Sequence, residues 1–303
     1  MARHFPHRKA AFILPLVFCL AACSHSPAES SKDSVSQSSQ SVMTISCQAE
    51  ASSEQSADPE KPTSVDVQQK MDTIRQIPAE SVIDTTGLSD QQVRSLFESR
   101  AVTAEMLAGY DDSTFSLDQN FITPEQIRLV RLLYFGFDNQ SHTGELLVNE
   151  KISQDVEEVF YELYRNAYPI EHISIPVGYN QDDNAIMTDN ITRALAFTTD
   201  ENGQYQEHEH SLGLAIDLNQ LYNPHVIVED GQTTILPPTA APYADRTNLQ
   251  PHMMDENDLA VQLFEQHGFT WGGIWQGRND YQHFEKGFDH ETGHIDPNLH
   301  YGS

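Results

Sequence analysis

The stretch EHEHSLGLAIDLN, residues 207–219, decides how this chain is read. It places His208, His210 and Asp217 among small and aliphatic residues. Read as a strand, SLGLAIDLN (211–219) puts Leu212, Leu214, Ile216 and Leu218 on one face by the two-residue period. Ser211, Gly213, Ala215 and Asp217 fall on the other, and their small side chains predict open floor around a carboxylate. His210 has the wrong parity for the Asp217 face of an unbroken strand. A bend at the strand's start or near Gly213 is therefore required if the two are to meet. The local pattern is compatible with a metal clamp and with an ordinary buried His and Asp.

A second constellation favours the clamp. GFTWGGIWQGRNDYQHFE (268–285) carries His283 in a β-prone stretch, with Asp280 three residues before it. A catalytic zinc needs three protein ligands and one open position. His210, Asp217 and His283 supply two neutral imidazoles and one carboxylate, a set that leaves Zn2+ net positive charge. Asp280 is then a candidate base, taking a proton from water and delivering it to a leaving amine. Calcium fits poorly, because it prefers a crowd of oxygen ligands to two imidazoles. His208 reads as a solvated neighbour, Trp271 and Trp275 as packing residues. The Gly272–Gly273 pair predicts close backbone approach.

The elements around these motifs are mixed. SQDVEEVFYELYRNAYP (153–169) has a period near 3.6 in Val156, Val159, Phe160, Leu163 and Tyr164, predicting an amphipathic helix. ENDLAVQLFEQHG (256–268) predicts another, stopped at Gly268. TPEQIRLVRLLYFGF (123–137) opens with an N-cap Thr and a Pro at the first helical position, then turns strand-like. HISIPVGY (172–179), the 213–219 segment and YQHFE (281–285) read as strands. Without regular βαβ alternation the expected class is α+β, with a small antiparallel sheet flanked by helices.

Composition sets the wider frame. The 303 residues hold 17 Lys+Arg against 45 Asp+Glu, a formal charge of −28. That balance argues against nucleic acid and anionic lipid as partners. Three cysteines, Cys19, Cys23 and Cys47, are too few for a disulfide framework. The basic start MARHFPHRK (1–9) and the apolar run that follows have signal-peptide proportions. They end in LAAC (20–23), which resembles the lipobox of bacterial lipoproteins. The resemblance implies a signal peptide over 1–22, lipidation of Cys23, and a periplasmic protein anchored to a membrane, with the outer membrane as the expected destination. Residues 23–84 are rich in Ser, Gln, Glu and Asp and read as a disordered tether with a reach of roughly 40 Å. Residues 85–120 read as a short helical segment, with Ser89 a possible N-cap. The catalytic domain is expected over 121–288 and a tail over 289–303.

HSLGLAID (210–217) together with WGGIW (271–275) and DYQHFE (280–285) resembles the zinc D-alanyl-D-alanine carboxypeptidase family, which includes VanY-like enzymes and L-alanyl-D-glutamate endopeptidases. The Asp before the second His resembles the endopeptidase-like branch. The similarity runs over about 121–288. It implies that His210, Asp217 and His283 bind zinc, that Asp280 is the general acid/base, and that the substrate is a peptide bond in peptidoglycan stem peptides. Asp189, Asn190 and Thr192 match the family, as do Tyr243, Asp245 and Arg246. One departure stands at Thr198, where the family continues to a substrate-contacting arginine. Arg193, five residues earlier, is the candidate replacement, with Asp189 and Thr192 as further substrate contacts. The competing class is a non-catalytic, zinc-containing wall-binding lipoprotein on the same fold; Asp280 argues against it, since zinc storage needs no base.

Overall fold

A computed structural model describes residues 63–110, 116, 121–180, 182–289, 292 and 294–296. The signal peptide, Cys23 and the first part of the expected tether lie outside the described residues.

The first element is helix α1 (Ser64–Gln76), and its start follows from local chemistry. The Thr63 side chain caps the Asp66 backbone N–H, while the Asp66 carboxylate accepts from the Thr63 N–H, a reciprocal capping box. Strand β1 (Val82–Ile83), short helix α2 (Asp90–Arg94), strand β2 (Glu98–Ala101) and short helix α3 (Ala104–Leu107) follow. The long hairpin β3 (Ile127–Phe135) and β4 (Ser141–Asn149) then builds an antiparallel sheet in the order β1-β4-β3-β2. Pro124 opens only a short turn of helix before β3, so the helix-then-strand reading of this segment holds.

Two expected boundaries are corrected here. Composition assigns residues 63–84 to the tether, yet α1 buries Met71 and Ile74, and β1 buries Ile83. Residues 85–120 are expected as a separate helical piece, yet β2 pairs with β3 along its whole length, and Leu96 and Phe97 are in the core. The reason is long-range burial. A few apolar side chains on a polar segment suffice once the β3–β4 sheet offers them a surface, removing about 25 cal/mol per Å² of exposed apolar area.

Helix α4 (Ser153–Arg165) buries Val156, Val159, Phe160 and Leu163, as its period predicts, and packs on β3. Strand β5 (His172–Ile173), helix α5 (Asp183–Thr188) and strand β6 (Ile191–Thr192) come next. β5 is shorter than the expected 172–179 strand and runs parallel to β6. Strand β7 (Ala215–Asp217) precedes the hairpin β8 (His225–Glu229) and β9 (Gln232–Leu236). Helix α6 (Leu259–Gln266) leads into β10 (Thr270–Trp271), β11 (Arg278–Asp280) and β12 (His283–Glu285). Two further small sheets result, ordered β10-β12-β7 and β11-β8-β9. The class is α+β as expected, with several antiparallel sheets instead of one. One apolar cluster runs continuously from Met71 and Ile74 through Val130, Val156 and Phe160 to Ile216, Leu218 and Phe284 beneath the β7–β12 pair. In the expected tail, Phe288–Asp289 pairs with His294–Ile295.

Candidate metal centre

Strand register brings two of the three ligand candidates together. β7 and β12 pair antiparallel with His283 opposite Asp217, Phe284 opposite Ile216 and Glu285 opposite Ala215. Directly opposed residues share a face, so the Asp217 carboxylate and the His283 ring meet across the ladder. On its other side Asp217 exchanges both backbone hydrogen bonds with Arg193.

His210 arrives from a turn. The N–H of Leu212 donates to the carbonyl of His208, that of Gly213 to His210 and that of Leu214 to Glu209. Gly213 ends the turn at φ +68°, a left-handed conformation that favours glycine. The expected bend is therefore at Gly213, and it cures the parity mismatch. The expectation of open floor is not met. A Cβ at Gly213 would lie 2.7 Å from the backbone N of Asn149, and the Ser211 hydroxyl is engaged in the turn by His208 N–H and O. The small residues here admit neighbouring backbone, not substrate.

The three side chains converge as a near-equilateral triangle. His210 Nε2 is 3.1 Å from Asp217 Oδ1 and 3.1 Å from His283 Nδ1, and His283 Nδ1 is 3.2 Å from Asp217 Oδ1. Among the described residues this is the one His/Asp cluster with metal-ligand spacing. Tetrahedral bonds of about 2.0–2.1 Å place ligand atoms roughly 3.3 Å apart, so the triangle has the size of one tetrahedral face.

The outer ring nitrogens fix what the inner ones present. His210 Nδ1–H donates to the Ala194 carbonyl at 2.6 Å, and His283 Nε2–H donates to Glu285 Oε2 at 3.0 Å. Both inner nitrogens are then lone-pair acceptors facing a carboxylate oxygen. Three acceptors cannot satisfy one another; only a central cation or an extra proton can. The electrostatics show the same demand. Burial opposes ionisation of Asp217, yet His210 and His283 hold its carboxyl well below the usual range. Burial likewise opposes charge on His283, and its hydrogen bonds to Asp217 and Glu285 overcome that, raising its pKa well above that of a free imidazole. A cation binding there displaces that proton.

Asp280 sits on β11 opposite His225 of β8, with its Oδ2 3.4 Å from His225 Nδ1. Burial raises its pKa, His225 and His283 pull it down, and the Asp217 charge pushes it up; the net shift is upward. The glycine pair makes the expected close approach: a Cβ at Gly272 would lie 2.8 Å from the Asp280 carbonyl and 3.1 Å from its Cβ. Trp271 is buried and donates its indole N–H to Tyr281 O, a packing role as expected. Trp275 instead leans over His283, ring centroids 5.5 Å apart.

The expected substrate contacts divide. Arg193 is buried and its guanidinium pairs with Asp183 at 2.9 Å, while its Nε takes no partner among the described residues. Asp189 accepts from the Tyr179 hydroxyl and lines a cavity of about 460 Å³. Thr192 is fully buried, and its Oγ1 accepts from the Asn219 N–H, so it braces backbone and presents nothing to a ligand. Asp245 caps the Thr247 N–H, and Arg246 lies over the Tyr281 ring and donates to Asn223 and to the Tyr222 carbonyl, so this pair pins loops. His208 is half-buried, not fully solvated: its Nε2 meets the Thr198 hydroxyl at 3.0 Å, and burial followed by the neighbouring His210 lowers its pKa to about 3. Sequence reading missed Glu285, although the two-residue strand period places it on the His283 face. It also missed the Ala194 carbonyl, which no side chain marks.

A buried, cation-demanding face of two imidazoles and a carboxylate, with a further carboxylate close by, is the arrangement of a metallohydrolase. Residues 202–286, which include all four of these side chains, match the family model described as D-alanyl-D-alanine carboxypeptidase, peptidase family M15. Over that span, somewhat under a third of the chain, the sequence is similar to M15 metallopeptidases, and His210, Asp217 and His283 form a group that could hold a metal ion. No curated protein and no solved structure matches the chain.

Proposed function

We propose that this protein is a zinc peptidase that hydrolyses peptide bonds in peptidoglycan stem peptides, in the manner of a D-alanyl-D-alanine carboxypeptidase or of an L-alanyl-D-glutamate endopeptidase. The observation that carries the reading is the triangle of three inward acceptors whose outer partners are already engaged. His210, Asp217 and His283 hold the ion. A zinc ion in such a set supplies Lewis acidity, polarising a carbonyl and bringing the pKa of water toward about 7.

The protein's own groups do the rest. The Asp280 carboxylate takes the proton of the attacking water as the new C–O bond forms. It returns that proton to the amine nitrogen as the C–N bond breaks. Burial raises the proton affinity of Asp280, which suits a group that must both accept and release a proton. Zinc storage would leave such a carboxylate without work. The LAAC motif (20–23) supports a lipid-anchored, periplasmic placement at the outer membrane, where stem peptides are within reach.

Defined muropeptides incubated with the zinc-loaded protein should yield products whose masses identify the bond cut; absence of any cleavage would remove the substrate assignment. Asp280→Asn should fold and keep its zinc while kcat falls by about 10²–10⁴-fold, the usual contribution of a general acid–base group. Loss of zinc in that variant would make Asp280 a ligand instead.

A further inference from the structure

The hairpin β8–β9 contributes no metal ligand, yet its first residue, His225, lies directly against Asp280. We infer that His225 is a positioning residue for the reaction: it grips one oxygen of the Asp280 carboxylate and so aims the other. This rests on Asp280 being the proton carrier.

Three observations carry it. First, the β8–β11 ladder sets Asp280 opposite His225, so the contact is fixed by backbone register. Second, the contact is enclosed: the two side chains are only 20% and 13% exposed, with Nδ1 3.4 Å from Oδ2. An ion-dipole or ion pair sheltered in this way is much less screened than a surface pair. Third, the atoms pointing away from the contact are without partners among the described residues. These are His225 Nε2 and Asp280 Oδ1, both buried.

Those unpartnered atoms decide the tautomer and the roles. A buried N–H without an acceptor is costly, whereas an unused imidazole lone pair is tolerated more easily. Nδ1 is therefore the protonated nitrogen, and its N–H faces Oδ2 across 3.4 Å. Oδ1 is left as the oxygen free to handle a proton. The gap of 3.4 Å is long, as catalytic contacts often are before substrate binds. Gly272, packed against the Asp280 Cβ, limits movement on one side. Beside the Gln282 side chain, which also bonds the Asp280 carboxylate, His225 supplies a further restraint. The β11-β8-β9 sheet, peripheral to the ligand strands, thereby gains a function: it carries the partner of the base.

The test uses two substitutions of similar size, only one of which can donate. Asn places an amide N–H close to the position of Nδ1; Leu places none. On a defined stem peptide, His225→Leu should lower kcat about 10–100-fold, the range seen when an outer partner of a site residue is lost, with KM and bound zinc unchanged. His225→Asn should recover most of that loss. In the Asp280→Asn background, His225→Leu should have little further effect, because coupled residues are not additive. Near wild-type kcat in His225→Leu, or the same fractional loss with and without Asp280, overturns the positioning role. If His225→Leu does not fold, His225→Ala against His225→Asn provides the same contrast. If Asp280→Asn itself keeps wild-type turnover, the proton-carrier reading fails and the role of His225 fails with it. Collapse of Asp280→Asn beside an unaffected His225→Leu removes only His225.

Discussion

Two regions bury strongly polar side chains and use them in opposite ways. In the β1-β4-β3-β2 sheet, Arg131 is buried and closed by the protein itself: its guanidinium meets Glu145 at 2.6 Å, the Ile74 carbonyl at 2.9 Å and the Ile77 carbonyl. Both terminal nitrogens of the guanidinium have acceptors, and the result ties the end of α1 to the sheet. At β7–β12 the buried groups close outward, onto Ala194 and Glu285, and leave their inner atoms facing one another. A buried polar cluster satisfied from within is architecture. One satisfied only on its outer side is a receptor for something absent from the chain.

That contrast can be broken most directly at the ligands. His210→Ala and His283→Ala should each reduce bound zinc from one equivalent to near none, read by elemental analysis of the folded protein, whereas an Arg131 variant should keep it. Unchanged zinc in both histidine variants would dissolve the distinction. Next in size, Arg131→Met should cost about 3 kcal/mol in unfolding free energy, because it leaves Glu145 and two backbone carbonyls without their cation. Denaturant titration measures it, and zinc affinity should be unaffected. Third, Glu285→Leu should weaken zinc binding about 10–100-fold by freeing the His283 ring, as measured by competition with a chelator.

The smallest effect concerns a pair that belongs to neither type. His172 and Glu80 meet at 3.0 Å with side chains 45% and 40% exposed. The hydrogen bond to Glu80 raises the His172 pKa against the effect of burial, aided by the charges of Glu80, Glu171 and Asp189; the same hydrogen bond lowers that of Glu80. A raised histidine stabilises the fold fully below its unfolded value of about 6.5 and loses that contribution as pH rises through the folded value. The lowered carboxylate contributes above its unfolded value and is lost on acidification. Solvent screening limits the sum to less than about 1 kcal/mol. His172→Ala should therefore be less stable than the parent at about pH 5.5 and nearly equal at about pH 9, as thermal unfolding at the two pH values would show.

Much of the site was legible because its chemistry is written in side chains with a known period. The His and Asp types, the mismatch of His210 parity and the need for a bend near Gly213 all follow from alternation along a strand. The amphipathic helices were equally plain, as α4 shows. Helix α1 was not. Its sequence, SVDVQQKMDTIRQ, is polar enough to pass for a linker, and only the distant β3–β4 sheet makes burial of Met71 and Ile74 worthwhile. The capping pattern at Thr63 and Asp66 was its one local mark. His225 was hidden for a related reason: nothing near it in the chain mentions Asp280, and cross-strand register alone joins them. Thr192 misled because a polar side chain can serve backbone as readily as ligand.

The two candidate ligand histidines also differ in their exposure to genetic change. The ring of His283 is oriented by a carboxylate, so a single codon at position 285 reaches it. The ring of His210 is oriented by the main-chain carbonyl of residue 194, an atom present whatever amino acid stands there. Random mutagenesis scored for retained zinc should therefore find vulnerable second sites clustered behind one histidine, with the other hardened against them by the peptide bond itself.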